Sequence, residues 1–268
     1  MADNYLEKKF EEHLNAPYKP AHRKPSPLKT RRIVVTGGAS GIGKFIVKAL
    51  RVAAHKVAFC DTDDSAGRET ALSTGADFFP LNVADAEALQ NFLRQIEHKW
   101  GGIDAVVNVL PVKPMPDVLS TSPAQFDEAM ASNVRPIIIC AQEMARMRKD
   151  ASATDASAYG RIVTVCPSVQ AGDDIIAAAK GATLALTQSL AMSLAPWRIT
   201  VNAISTGKIA LPGEDHEPDA ELPPAGREGR PDDVARVVRF LIDDASDFIT
   251  AQNFTVDGGM TIKMALNK

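Results

Sequence analysis

Residues 36–43 read TGGASGIG, a run with a well-defined chemical use. Glycines at 37, 41 and 43 permit a tight turn, let the backbone approach a pyrophosphate, and let a following helix pack closely on the preceding strand. The helix N-terminus supplies unpaired N–H donors. Asp61, eighteen residues past Gly43, suits the same task. Its carboxylate would accept hydrogen bonds from an adenosine ribose diol and repel a 2′-phosphate, which favours NAD over NADP. The competing reading of Asp61 is a helix N-cap, with Asp63 and Asp64 as rivals for that position. A second stretch, residues 175–195, reads IIAAAKGATLALTQSLAMSLA and admits a single cation, Lys180. Taken alone, that lysine is a snorkelling side chain at a helix surface. One helical turn before it stands Ile176.

Positioning these residues requires an alternation of strands and helices, and the pattern supplies it. Apolar, β-rich runs are expected to form strands at Arg31–Thr36, Lys56–Cys60, Asp77–Leu81, Ala105–Val109, Arg161–Cys166, Thr200–Ile204 and Phe254–Val256. Helical periods fall between them at Ile42–Ala53, Ser65–Ser73, Asp85–Lys99, Pro123–Arg148, Asp174–Ala195 and Pro231–Asp243. Ser122, Pro123 and Gln125 together mark one helix start, with a cap, a proline at the first helical position and a capping partner. Strict βα alternation implies right-handed crossovers and a parallel sheet covered on both faces, hence a doubly wound α/β fold. The domain is expected to run over 31–268. Before it, residues 1–30 read as an arm: Asn4 and Glu7 form a capping box for a short helix with Leu6, Phe10 and Leu14 on one face, and a Pro-rich basic linker follows.

The Thr36–Gly43 turn, Asp61, the Asn82-Val83 pair, Asn108, Asn133, Lys180, Asn202 and the closing FTVDGGM at 254–260 together resemble the short-chain dehydrogenase/reductase family, classical type. The resemblance spans roughly residues 31–262. It implies a seven-stranded Rossmann sheet, a bound nicotinamide dinucleotide, and a dimer or tetramer packed through two long helices. By the same resemblance the cofactor would be held by Gly37, Ser40, Gly41, Ile42, Gly43, Asp61, Asn82, Val83, Asn108, Lys180 and Gly207. The family's chemistry uses an Asn, Ser, Tyr and Lys relay. Its tyrosine moves the proton while hydride passes to or from the nicotinamide, and its lysine lowers the phenol's pKa and holds the nicotinamide ribose.

Two members of that relay match here, Asn133 and Lys180, and two do not. The tyrosine place, four residues before the lysine, is Ile176, which has no proton to give. The serine place falls on Pro167, which lacks even a backbone donor, with Ser168 next in line. The segment between them is shorter than the family's usual interval. Strand four is followed by Asn108-Val109-Leu110-Pro111, and strand six by Thr206-Gly207, where the family usually has Asn-Asn-Ala-Gly and Pro-Gly. Cofactor-side features are thus mostly kept and substrate-side features mostly lost. Losing a positioned general acid costs on the order of 10²–10⁴ in rate, and losing an oxyanion donor costs a comparable factor.

Substitutes are few. Ser168 would have to swing into the vacant place, and a one-residue shift at a strand end points its side chain elsewhere. Cys166 reads as a structural thiol, Asp173 and Asp174 as a helix cap, and Tyr159 lies at the wrong end of its strand. His216, in the acidic, Pro-rich 213–226 segment, has the right chemistry for an acid–base group, although such a loop is more simply solvated. Two functions remain open: an NAD(H)-binding protein without ordinary carbonyl or alcohol turnover, or an NAD-dependent oxidoreductase with a non-standard proton donor.

Bulk properties exclude other classes. The 268 residues carry a net charge of −3 with no extended basic cluster, so no nucleic-acid partner is expected. The five histidines are scattered, and no metal site is expected. Cys60, Cys140 and Cys166 each sit in an apolar run, which fits reduced core thiols in the cytoplasm. The charged N-terminus lacks the apolar core of a signal peptide. Lys180, Gln188 and several hydroxyls argue against a membrane span at 175–195, which is instead expected to be a helix buried on most sides. Its row of small residues, Ala178, Ala182, Ala185, Ser189 and Ala195, would allow close helix contact in a homo-oligomer or with an active relative.

Overall fold

Strand β1 (Arg32–Thr36) is an Ile-Val-Val run buried along its length, as a strand covered on both faces must be. The remaining strands are β2 (Lys56–Asp61), β3 (Asp77–Pro80), β4 (Ala105–Val109), β5 (Gly160–Cys166), β6 (Ile199–Thr206) and β7 (Asn253–Val256). They form one seven-stranded parallel sheet in the order β3-β2-β1-β4-β5-β6-β7. The strand order reverses between β1 and β4, where such sheets open a crevice at their carboxyl ends. The computed structural model describes residues 29–111, 119–151, 159–169, 173–213 and 222–266. The expected helix and linker of the arm, and His216, lie outside the described residues.

Alternate strand residues feed two separate cores. Val34, Ala58, Cys60, Val106, Ile162 and Val201 face one side. There they meet α3 (Ala86–Trp100), α5 (Arg135–Ala151) and α6 (Asp174–Leu194). Ile33, Val35, Phe59, Val107, Val163 and Ile204 face the other, against α1 (Gly41–Val52) and α7 (Pro231–Ile242). This period of two is what a doubly covered sheet demands. A further helix, α2 (Asp64–Thr74), follows β2, and α8 (Met260–Leu266) closes the described chain.

Two expectations about helices are corrected. The period at Pro123–Arg148 is not one helix but two, α4 (Pro123–Asn133) and α5. Pro136 has no N–H, and its ring clashes with the carbonyl four residues back, at Ser132. Ile137 accordingly donates to Val134 (3.2 Å) rather than a full turn back to Asn133. The Ser122 cap stands as expected: its hydroxyl accepts from Gln125 N–H (3.3 Å), and Gln125 Oε1 accepts from Ser122 N–H (2.8 Å). Helix α6 is not buried on most sides. Ile176, Ala179, Thr183, Thr187, Ala191 and Leu194 form one buried stripe, while Ala178, Gly181, Ala185 and Ser189 are exposed. Its exposed face carries Ala177, Ala178, Gly181 and Ala185, whose small side chains lose little by facing water. By length and composition alone Asp174–Trp197 is long enough to cross a bilayer, with 28% of its most apolar window buried.

Charge closes the seam between α3 and α5. Glu143 is buried to 3% exposure, and its carboxylate accepts from Arg94 (2.9 Å) and Arg146 (2.9 Å), while Arg146 also pairs with Glu97. Burial alone would raise the Glu143 pKa, but the hydrogen bonds and charges of the two arginines outweigh it and hold the carboxyl below its ordinary range. Its stabilisation is therefore fully present above the unfolded value of about 4.3 and lost as pH falls through the lower folded value. Glu143→Gln is expected to cost about 1–2 kcal/mol near neutrality, roughly 3–6 °C in Tm, and to converge with the parent in acid. Thermal melts across a pH series check both points.

Candidate functional site

The glycine turn is built at the carboxyl end of β1. Gly37 N–H (2.9 Å) and Gly38 N–H (3.2 Å) both donate to Cys60 O, which stitches the turn to β2. Gly37 and Gly41 hold positive φ angles of 69° and 51°, the left-handed region that glycine enters without a Cβ penalty. A Cβ on Gly43 would lie 1.8 Å from Gly37 O, so helix α1 rests directly on the turn. Ser40 occupies the cap position without capping the helix, and no acid stands in the first turn of α1. The first-turn N–H groups and the positive end of the helix dipole are thus left for an anion, which fits a pyrophosphate.

Asp61 sits at the end of β2, beside this turn. One carboxylate oxygen accepts from Ala39 N–H (3.0 Å), the other from Thr62 N–H (2.7 Å) and Asp63 N–H (3.3 Å). Its rival reading falls to another residue, since Asp63 caps α2 by accepting from Ala66 N–H (2.9 Å). A carboxylate offers about four lone-pair positions; three are used, which leaves room for a ribose hydroxyl. Asn82 is exposed, and its side-chain oxygen accepts from Ala84 N–H (3.0 Å), while Val83 packs on the core. Asn108 is fully buried on β4 beside β1, with Oδ1 accepting from Thr36 Oγ1 and Cys140 Sγ (both 3.4 Å). Its Nδ2 has no partner among the described residues.

At the neighbouring strand ends, Lys180 reaches back from α6. Its Nζ donates to Pro167 O at 2.9 Å. Burial lowers the lysine's pKa, and the charge of Asp257 partly opposes that. The resemblance pairs Lys180 with a phenol and a nicotinamide ribose; in the folded chain its partner is the carbonyl of Pro167, the backbone group that proline keeps. That acceptor was not anticipated, because backbone carbonyls leave no residue-type signal. Ile176, one turn before the lysine, is 4% exposed. Cys166 is buried and its thiol is pushed up to about 11 by burial, so it stays protonated. Asn133 is buried, with Nδ2 donating to Ala129 O (3.0 Å) and Ser132 Oγ (3.3 Å), at the break that releases its carbonyl from Ile137.

These strand ends enclose a cavity of about 190 Å³ whose wall includes Ile42, Val109, Leu110, Pro167, Ser168 and Gly207. Ile209 and Leu211, which the sequence reading did not nominate, complete it from the segment after β6. Gly207 N–H donates to Val256 O (2.9 Å), and a Cβ there would meet Asp257 at 2.7 Å. Asn202 stands apart from the cleft: it ties β6 to the turn before β7 through Ile249 O (2.9 Å) and Gln252 N–H (3.1 Å). Tyr159 lies at the amino end of β5, against the Arg161 and Arg198 guanidiniums. Asp173 occupies the cap position of α6.

Comparison with known proteins gives consistent matches. A family model described as "Enoyl-(Acyl carrier protein) reductase" matches residues 37–261. An uncharacterized oxidoreductase of Thermotoga maritima is 33% identical over 255 residues, covering 88% of this chain and 98% of the relative. An NAD-dependent glycerol dehydrogenase of Listeria innocua is 32% identical over 243 residues, covering 86% and 93%. Among solved structures, a mutant short-chain dehydrogenase/reductase of Serratia marcescens superposes with a TM-score of 0.77 at 28% identity, covering 88% of this chain and 100% of the other. One from Mycobacterium marinum does so at 0.75 and 27%, covering 87% and 96%.

Proposed function

The chain belongs to the short-chain dehydrogenase/reductase family, and from that premise we propose that it is an NAD(H)-binding member without ordinary carbonyl or alcohol turnover. Binding is supported by the uncapped N-terminus of α1, the Gly43 contact and the lone-pair position left on Asp61. In this reading Gly37, Ser40, Gly41, Ile42 and Gly43 hold the pyrophosphate, and Asp61 holds the adenosine ribose. Asn82 and Val83 flank the adenine, and Asn108, Lys180 and Gly207 face the nicotinamide end. Bound there, the dinucleotide would supply or accept hydride.

One observation supports the absence of turnover in this reading: Lys180 Nζ is held by the Pro167 carbonyl, and Ile176, at the place that the resemblance gives to the phenol, is buried. Isoleucine moves no proton, and a proline nitrogen donates no hydrogen bond to a substrate oxygen. Lys180 is left to position the cofactor, with Asn133 as a remnant of the relay. The alternative, an active NAD-dependent oxidoreductase with a different donor, draws on the relatives' names, which include a glycerol dehydrogenase. It also draws on Ser168 at the cavity wall.

Three further expectations belong to this reading. The exposed small residues of α6, Ala178, Ala185 and Ser189, support a homo-oligomer or pairing with an active relative, and light scattering that gave a monomer would refute it. The free, buried Cys60, Cys140 and Cys166 support a reducing, cytoplasmic setting. The preference for NAD is tested at Asp61. Calorimetric titration of the parent should give NADH binding far tighter than NADPH binding. Asp61→Asn, which keeps an acceptor but removes the charge, should narrow that gap by about tenfold or more. An unchanged preference contradicts the role of Asp61, and no NADH binding by the parent contradicts the reading as a whole.

A further inference from the structure

Helix α1 carries apolar residues beyond those it buries outright in the core. Ile46, Val47 and Leu50 are buried in the core. Phe45, Ala49 and Val52 recur at four and three residues on a second face beside them: Phe45 is half-buried, Ala49 packs against the edge of the core, and Val52 is 79% exposed. That second face forms one wall of a groove of about 320 Å³, and α7 forms the other. Lys48, Arg236 and Arg239 stand along it against a single carboxylate, Asp232. Arg236 reaches Asp233 only at 3.4 Å, and that carboxylate is already held by Arg227 (2.7 Å). Lys48 and Arg239 form no ion pair among the described residues.

We propose that the groove between α1 and α7 docks an acidic amphipathic helix of a partner protein. Three cations against one acid give the groove a positive field although the whole chain is net negative, so its charge selects an anionic partner. The apolar strip between the cations selects a helix over a free anion or a nucleic acid. Phosphate groups would meet the cations and leave Val52 and the open part of Phe45 in water, whereas an amphipathic helix seats its apolar ridge on that strip and its flanking carboxylates on Lys48, Arg236 and Arg239. The groove is independent of the strand-end cleft, so docking leaves the dinucleotide site free.

The test uses the full chain and a labelled helical peptide of about 15 residues, with Leu and Phe at i, i+4, i+7 and i+11 and glutamates on both flanks. A twin peptide carries lysine at every glutamate. Fluorescence anisotropy should show the acidic peptide binding at least about tenfold more tightly than its twin and weakening with added salt. Lys48→Glu with Arg239→Glu should lose at least about tenfold in affinity for the acidic peptide and gain affinity for the basic one. A photo-crosslinker at position 52 should capture the peptide. An unchanged melting curve and NADH affinity establish that the double variant is folded. Equal affinity for the two peptides, indifference to the charge reversal, or a groove covered by a second copy of the chain in solution would each overturn the proposal.

Discussion

Replacing Gly43 with alanine is expected to lower dinucleotide affinity by up to about 100-fold. The added methyl would lie 1.8 Å from Gly37 O and 3.2 Å from Gly38 Cα, both backbone atoms of the turn that is to hold the pyrophosphate. No side chain is available to swing aside, so α1 must move away from the turn and carry its N–H groups out of register. Overpacking of this kind costs about 1–3 kcal/mol, and the upper end corresponds to about a hundredfold in affinity if it is charged to binding. Gly181→Ala is the matched control. A Cβ there meets nothing within 4 Å, so the helix-forming preference of alanine should stabilise α6 by about 0.5–1 kcal/mol and leave binding intact. Calorimetry and thermal melts on the two variants separate loss of the site from loss of the fold.

The second large effect is a gain. Ile176→Tyr combined with Pro167→Ser returns a phenol one helical turn before Lys180 and a hydroxyl at the end of β5. If the missing groups are what limits the site, NADH-dependent reduction of simple aldehydes should rise by about 10²-fold over the parent, the lower end of what a positioned general acid provides. Ile176 is buried to 4% exposure, so the larger ring should also cost about 1–3 kcal/mol of stability. Lys180→Ala on that background should remove the gain, because the lysine is what lowers the phenol's pKa. A double variant that folds, binds NADH and remains at the parent's rate would place the block elsewhere, in the shortened segment between Pro167 and Ile176.

Where the sequence could be read, the reason is physical. Strands β1, β4 and β5 are legible almost to the residue because burial on both faces leaves a short run dominated by β-branched apolar residues. The glycine turn is legible because two positive φ angles favour glycine and one 1.8 Å contact excludes any Cβ at Gly43. What escaped reading depends on contacts distant in sequence or on the backbone. Pro136 sits inside a sound helical period, and its missing N–H and the clash of its ring break the helix into α4 and α5. The choice between Asp61 and Asp63 as cap rested on which carboxylate faces Ala66 and which faces Ala39. The Pro167 carbonyl that holds Lys180, and the Ile209 and Leu211 side chains that close the cavity, carry no local pattern. Alanine-rich α6 looked buried because hydropathy counts residues rather than the area each removes from water.

The most direct measurement loads the protein with NADH to saturation, confirms binding by calorimetry, and mixes it rapidly with a panel of aldehydes and ketones while following the reduced-nicotinamide absorbance through a single turnover. Tight binding is expected, with an absorbance that stays level with the enzyme-free control for every carbonyl. A saturable decay of that band, abolished by Lys180→Ala, would contradict it.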